Sequence, residues 1–167
     1  MGEIMKEEIV KIKKLYEGVQ TPLVATEGSA GADLRAFLLD EESDEKVSKI
    51  ILQPNQKAKI HTGIAFQIPK GTAMLILPRS SSGIKKNLVL LNTVGLLDSD
   101  YTGECLIFVK NVGDTPIEIE NGERIAQALI VPYIKPSFVE VEALDKTERG
   151  DGGFGSTNHG AAGEKLL

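Results

Sequence analysis

The sequence predicts an all-β protein, folded as an antiparallel sandwich or barrel. Short apolar runs recur along the 167 residues, and turn signals separate them. The run at 64–68 ends at Pro69 and Gly71, for example, and the run at 73–77 ends at Pro78. Many short strands at such spacing are typical of antiparallel β architectures. Strands do not alternate with helical patterns, which argues against a doubly wound nucleotide-binding fold.

The apolar runs predict the individual strands in chain order. The first is an edge strand at residues 9–15, because Val10 and Ile12 alternate with lysines there. Met5, Ile9 and Tyr16 also fit a helical spacing, so a helix is the alternative for this segment. Residues 26–36 form a small-residue turn that runs into a strand. The other predicted strands are residues 50–52, 58–60, 64–68, 73–77, 88–91, 105–109, 117–119, 125–131 and 138–141.

Composition and charge set limits on the function. A chain of this length is expected to form one domain with a real core, and a net charge of −5 argues against a dedicated nucleic-acid binder. The single cysteine, Cys105, lies in an apolar run and is interpreted as a buried structural thiol. With only His61 and His159 beside it, no zinc-site spacing exists, which excludes the zinc nucleoside deaminases.

No membrane-length apolar stretch and no signal peptide are evident, so the expected compartment is the cytoplasm and no membrane partner is expected.

Two segments stand out from the predicted β domain. Residues 40–49 form a charge-rich insert with five acids, interpreted as a solvated loop. From residue 147 the chain becomes glycine-rich, which predicts a β domain at 1–146 and a flexible arm at 147–167. Glycine-rich backbone can converge its N–H groups on an anion, Arg149 can fork onto phosphate oxygens, and Ser156 and Thr157 add hydroxyl donors. Phe154 could cover a flat base. The alternative is a disordered tail.

The most polar stretch lies at residues 92–104, between the apolar runs 88–91 and 105–109. Two such runs flanking a short polar turn predict a β-hairpin. Asn92, Asp98, Asp100 and Tyr101 crowd this hairpin, and strand alternation puts the two aspartates on one side wherever the backbone is extended. These groups could meet a base edge, a sugar and a water. The alternative is that Asp98 and Asp100 are only turn formers.

Three further places carry polar groups that suit a phosphate ligand. Arg79, with Ser80 and Ser81, follows an apolar strand and could clamp a polyphosphate at the start of a short helix, although an ordinary capped loop is the alternative. Gln127 interrupts an apolar strand as either a satisfied core amide or a ligand donor. Asp33 follows a glycine turn and is either a turn residue or a neighbour of a hydrated metal ion. Mg²⁺ typically arrives with substrate phosphates and keeps its waters.

Five segments in fixed order together resemble the trimeric dUTP diphosphatase (dUTPase) family. They are residues 29–36, 78–81, 92–103, 122–127 and 149–157. Each motif alone is weak, but five in register span nearly the whole chain. The resemblance implies a distorted jelly-roll fold assembled as a homotrimer, with a flexible arm and with each active site shared between subunits. It implies Mg²⁺ as cofactor and dUTP, dUMP and diphosphate as ligands.

The resemblance also implies residue roles. Asn92 and neighbouring backbone groups, including Gly95, would read the uracil edge, and Asp98 would orient and deprotonate the attacking water. Tyr101 would pack beneath the sugar and act as a steric floor against a 2′-hydroxyl, and Asp33 would contact a magnesium-bound water. The phosphates would be held by a larger set, which comprises Arg79, Ser80, Ser81, Gln127 and, from another subunit's arm, Arg149, Gly155, Ser156 and Thr157. Phe154 of that arm would stack on uracil.

The implied activity is hydrolysis of dUTP to dUMP and diphosphate by water attack on the α-phosphorus, which limits uracil in DNA and supplies dUMP for dTMP synthesis. One alternative is the related dCTP deaminase family, whose catalytic glutamate would fall near Phe108, where no acid stands. The other is a nucleotide-sensing regulatory protein. Asp98 argues against a pure binder, because a buried acid facing phosphates is costly unless it serves chemistry.

Overall fold

The computed structural model describes residues 8–40, 42–147 and 149–152. The chain divides into two compact units, Met1–Ile134 and Lys135–Leu167. The predicted division into a domain at 1–146 and an arm at 147–167 stays a prediction. All regular secondary structure of the described residues lies in the first unit.

The first unit is an antiparallel β structure with one short helix. Its elements are β1 (Lys11–Lys14), β2 (Leu23–Val24), β3 (Ala32–Arg35), β4 (Lys49–Leu52), β5 (Lys57–Gln67), β6 (Thr72–Pro78), α1 (Ser80–Lys86), β7 (Leu88–Leu90), β8 (Gly95–Leu97), β9 (Glu104–Asn111), β10 (Ile117–Glu120) and β11 (Arg124–Pro132). The strands form a sheet ordered β1-β5-β9-β7, a sheet ordered β2-β3-β11-β6-β8 and the pair β10-β4. The predicted all-β class is confirmed.

The core lies between the sheets and follows from period-2 patterning. In β9, Cys105, Ile107 and Val109 face inward and are almost fully buried, and the residues between them face out. Leu34 and Met74 of the five-stranded sheet and Ile60 of the four-stranded sheet belong to the same apolar cluster. Burial raises the pKa of Cys105 to about 12, which agrees with the predicted structural thiol.

The prediction of a β-hairpin around residue 98 is correct for the two flanking strands and wrong for the short turn between them. The flanking strands do pair, since Leu90 of β7 lies opposite Val109 of β9. The segment between them is longer than a hairpin turn, however, and contains β8, which pairs with β6 in the other sheet. Residues 92–103 therefore cross from one sheet to the other.

Two predicted strands differ from the structure. The runs at 58–60 and 64–68 form one strand, β5, whose ladder to β9 shifts register near Gly63, a residue with a φ of 68°. The predicted strand at 138–141 has no ladder partner among the described residues, and the Phe138 side chain is 92% exposed. An apolar run without a neighbouring strand edge has nothing to pair with. The predicted edge strand at 9–15 is present as the shorter β1, at the edge of its sheet.

The acidic insert is a tight exposed turn. The Asp40 carboxylate accepts hydrogen bonds from the backbone N–H groups of Glu42 and Ser43 and from the Ser43 hydroxyl, at 2.9–3.1 Å. These bonds lower the pKa of Asp40 below its ordinary value. Within the described ranges, no helix is long and apolar enough to cross a membrane.

Candidate active site

The first group of predicted site residues lies where three neighbouring strands of the five-stranded sheet meet. Strand β11 runs between β3 and β6, and its Gln127 is opposite Asp33 on one side and Leu77 on the other. Arg79 directly follows β6 and caps the start of α1. The sheet thus brings together Asp33, Arg79 and Gln127, which are far apart in the sequence. We call this group the guanidinium cluster, and it also contains Arg124.

Asp33 is the centre of the guanidinium cluster. The residue is 8% exposed, and its two carboxylate oxygens have different partners. Nε of Arg79 donates to Oδ1 at 2.8 Å, and Nη1 of Arg124 donates to Oδ2 at 3.0 Å. A buried carboxylate needs such partners, because burying a charge without them is costly.

Arg124 is a functional candidate that sequence reasoning did not select. It belongs to the segment 122–127, from which only Gln127 was selected, and its contact with Asp33 spans 91 positions in the chain. Its main-chain carbonyl also accepts a hydrogen bond from Nη1 of Arg79 at 3.1 Å. The only available signal was the charged side chain at the start of an otherwise apolar strand.

The remaining phosphate-side residues have simple surroundings. Nε2 of Gln127 donates to the carbonyl of Pro78 at 3.1 Å, so this amide is anchored beside the end of β6. Ser80 is exposed and Ser81 is partly buried at the start of α1, which confirms the predicted short helix. Ser80 and Ser81 directly follow Arg79 in the chain, and Gln127 reaches the same end of β6 through Pro78.

The second group of predicted residues lies on the crossing segment 92–103. The Asn92 carbonyl accepts hydrogen bonds from N–H of Val94 at 2.5 Å and from the Thr93 hydroxyl at 2.6 Å, and Thr93 has a φ of 55°. Gly95 is buried opposite Ile76, and a Cβ at this position would come within 3.3 Å of Nδ2 of Asn92. The nearest atom to that Cβ would be Cβ of Ile76 at 2.9 Å, so the glycine leaves space for the Ile76 side chain as well as for the Asn92 amide.

Asp98 and Tyr101 end this segment in a turn. N–H of Tyr101 donates to the Asp98 carbonyl at 3.2 Å, so these residues are not an extended strand and the alternation expected for Asp98 and Asp100 does not apply. The Tyr101 hydroxyl donates to the Glu104 carbonyl at 3.0 Å, and its ring lies against Gly103, where a Cβ would be 2.6 Å from Cζ. Asp98 is exposed, so the expectation of a buried acid is wrong for the single chain.

Asp98 and Arg79 lie at opposite ends of strand β6, whereas Gly95 pairs with Ile76 between them. Register pairs Met74 with Leu97, which places Asp98 level with Ala73, whereas Arg79 follows the other end of the strand. At about 3.3 Å per residue, the strand between these ends spans roughly 20 Å. Within one chain, Asp98 and Arg79 are too far apart to act on the same phosphate group.

The predicted arm is described only in part. Nε of Arg149 donates to the Gly152 carbonyl at 2.6 Å, and N–H of Gly150 donates to the Thr147 carbonyl at 3.2 Å. Residues 149–152 therefore form a turn that the Arg149 side chain closes by its hydrogen bond to Gly152. The predicted contacts of Phe154, Gly155, Ser156 and Thr157 lie outside the described residues.

The fold and the two groups define a class of protein: an antiparallel β sandwich in which two arginines join a buried carboxylate and a polar segment runs between the sheets. The sequence profile of the dUTPase family matches residues 18–158, and the chain belongs to the dUTPase family. This match includes every predicted site residue of both groups and of the arm.

Individual relatives agree with this assignment. The deoxyuridine 5′-triphosphate nucleotidohydrolase of Treponema denticola is 46% identical over 144 residues, which cover 86% of this chain and 94% of the relative. The protein of the same name from Ectopseudomonas mendocina is 48% identical over 143 residues, or 85% and 89% of the two chains. Among solved structures, a mutant dUTPase of Staphylococcus bacteriophage 80alpha with dUpNHpp superposes with a TM-score of 0.77 at 28% identity, over 89% of this chain and 98% of the other.

Proposed function

We propose that this protein hydrolyses dUTP to dUMP and diphosphate by water attack on the α-phosphorus. The observation that carries the proposal is the family match over residues 18–158, which covers all the predicted site positions at once. This activity limits the incorporation of uracil into DNA and supplies dUMP for dTMP synthesis.

The nucleoside is bound by the crossing segment. The Asn92 amide, held over Gly95, has a donor and an acceptor to match the uracil edge, and the Gly95 backbone completes this recognition. The Tyr101 ring, which lies against Gly103 and donates its hydroxyl to the Glu104 carbonyl, provides the floor beneath the deoxyribose and leaves no room for a 2′-hydroxyl. Asp98 is exposed at the end of the same segment and acts as the general base for the attacking water.

The phosphates are bound by the guanidinium cluster and its neighbours. Nη2 of Arg79 takes no part in the contacts with Asp33 and Arg124 and is free to donate to a phosphate oxygen. Ser80, the N–H of Ser81 and the Gln127 amide add donors around it. Fixed donors of this kind stabilise the charge that develops on the leaving diphosphate.

The described residues fit a magnesium ion that is carried by the substrate. They contain no group of three metal-ligating side chains, which excludes a dedicated cage among them. Mg²⁺ usually binds through one or two carboxylates and the substrate phosphates, and it would neutralise charge on those phosphates. Each oxygen of Asp33 accepts one guanidinium N–H and has a further lone pair, so this carboxylate can also accept a hydrogen bond from a metal-bound water.

The active site is shared between subunits of a homotrimer. The distance of roughly 20 Å along β6 between the level of Asp98 and Arg79 supports this proposal, because one chain cannot bring its own base to its own phosphate site. A neighbouring copy supplies the missing group, and the arm at 147–167 of another subunit closes over the site with Arg149, Phe154, Gly155, Ser156 and Thr157. The proposed compartment is the cytoplasm, in keeping with the single unpaired Cys105.

A panel of substrates tests the proposed activity. The full chain is incubated with each deoxynucleoside triphosphate and with UTP in the presence of Mg²⁺, and the release of diphosphate and ammonia is followed. The expected result is diphosphate from dUTP alone, together with loss of turnover when EDTA removes the metal. Ammonia from dCTP would point instead to the deaminase family, and binding of dUTP without turnover would point to a nucleotide sensor.

A further inference from the structure

We propose that Arg124 is a positioning residue of the phosphate site: it holds one oxygen of Asp33, so that Asp33 leaves Nη2 of Arg79 free for the substrate's phosphates. The inference rests on the proposed function and deepens it. It concerns how the site is kept ready for a polyphosphate, and it assigns a role to a residue that does not itself have to touch the ligand.

A β-bulge brings Arg124 to the right face of the sheet. Strand β11 pairs with β3 so that Gln127 lies opposite Asp33, but the register shifts between Arg124 and Ala126, and Arg124 lies opposite Arg35. In a regular strand, residues 124 and 127 would point to opposite faces. The extra residue in β11 removes this difference, so Arg124 shares the face of Asp33 and Gln127. Bulges are over-represented next to active sites, where they redirect a side chain.

The contacts show what Arg124 prevents. Asp33 contacts Nε of Arg79 through Oδ1 only, because Oδ2 is held by Arg124. Arginine and a carboxylate frequently form a bidentate pair with two parallel hydrogen bonds. Without Arg124, the released Oδ2 of a buried carboxylate would turn to Nη2 of Arg79, which is the donor that the phosphate needs. Loss of Arg124 would therefore weaken phosphate binding through Asp33.

The surroundings of the three residues support a positioning role over a purely structural one. The Arg124 side chain is 42% exposed, whereas those of Arg79 and Asp33 are 24% and 11% exposed. Arg124 thus lies at the rim of the guanidinium cluster, and its side chain contributes little packing. Its main-chain carbonyl accepts the hydrogen bond from Nη1 of Arg79, and this contact survives replacement of the side chain. The guanidinium of Arg124 makes its ion pair with Asp33.

Ligand binding to Arg124→Ala and Arg124→Lys tests the inference. Calorimetry with the full chain compares the non-hydrolysable analogue dUpNHpp, with Mg²⁺, and deoxyuridine, which has no phosphate. Arg124→Ala is expected to weaken the binding of dUpNHpp by about tenfold, which is the effect of one charged hydrogen bond. The affinity for deoxyuridine should be unchanged. Arg124→Lys is expected to be intermediate, because an ammonium supplies charge without the planar fork. If Arg124→Ala does not fold, Arg124→Lys alone carries the comparison.

Two further variants distinguish the positioning role from a general loss of positive charge or of folded protein. Arg35→Ala is the matched control: it removes the arginine opposite Arg124, which bonds the Gly122 carbonyl and not Asp33, and dUpNHpp binding should stay within about twofold. In the double variant Asp33→Asn with Arg124→Ala, the combined loss should be smaller than the sum of the single losses. Additive losses, equal weakening of both ligands, or unchanged dUpNHpp binding would overturn the inference. Absence of dUTP turnover in the unmodified protein would overturn the proposed function instead.

Discussion

The two ends of strand β6 are built in different ways. At the end that carries Arg79, a buried carboxylate joins two arginines from different strands, so that side-chain contacts fix the geometry. At the other end, the turn with Asp98 and Tyr101 is shaped by its own backbone hydrogen bond, and both side chains are exposed.

Under the proposed function, this difference matches the part of the substrate that each end binds. A polyphosphate needs guanidinium donors that stay in place, and a charged group is held best by an opposite charge that is itself shielded from water. A flat uracil and a sugar need a binding surface of complementary shape, which backbone turns and small residues such as Gly95 and Gly103 can provide. In one chain the segment faces outward, and in the proposed trimer it faces the phosphate site of a neighbour.

The largest expected effect comes from removing one functional group at each end. Asp98→Asn and Arg79→Ala should each lower kcat/KM for dUTP by about a hundredfold or more, since a general base and a charged phosphate donor contribute at that level. Co-expression of the two variants in equal amounts should restore about a quarter of the unmodified activity, because a shared site can combine the intact residue of each chain.

Purified mixed assemblies, each variant carrying a different affinity tag, provide the measurement; every mixed trimer has one intact site of three, so about a third of the unmodified activity is expected in them. No restored activity in verified mixed trimers would show that both residues act within one chain and would contradict the shared site. Asp100→Asn is the matched control for Asp98, since it removes a neighbouring carboxylate from the same turn and should keep near-normal turnover.

A smaller effect is expected from crowding the sugar floor. Gly103→Ala would place a Cβ within 2.6 Å of the Tyr101 ring, which is half exposed and can swing away. Thermal stability should change little, but kcat/KM for dUTP should fall about tenfold and the preference over UTP should narrow, because the floor beneath the sugar has moved. Tyr101→Phe, which loses only the hydrogen bond to Glu104, should keep that preference. If Gly103→Ala discriminates normally against UTP, Tyr101 is not the floor.

Sequence patterning was sufficient for most of the strands but for few of the pairings between them. Alternation within a strand is local, so the inward face of β9 and the pairing of β7 with β9 were both predictable. The transfer of β8 to the other sheet and the bulge at Arg124 depend on register between distant segments. The contacts of Asp33 span 46 and 91 positions, so no local pattern could show that this carboxylate joins two arginines.

The smallest expected effect concerns Asp40, a carboxylate that contrasts with Asp33 because it is exposed and bound only by its own turn. Its folded-state pKa is below the ordinary 3.8, so its stabilising effect is complete above that value and is lost as pH falls through the lower, folded-state value. Asp40→Asn should therefore lower Tm by at most about 2 °C near pH 7. In circular-dichroism melts, this difference in Tm between the variant and the unmodified protein should shrink as pH falls below 3.8. A gap that persists or grows in acid would mean that the Asp40 charge does not stabilise this turn. Turnover of dUTP should be unchanged, because the hydrogen bonds of the Asp40 carboxylate stay within the turn and reach neither end of β6.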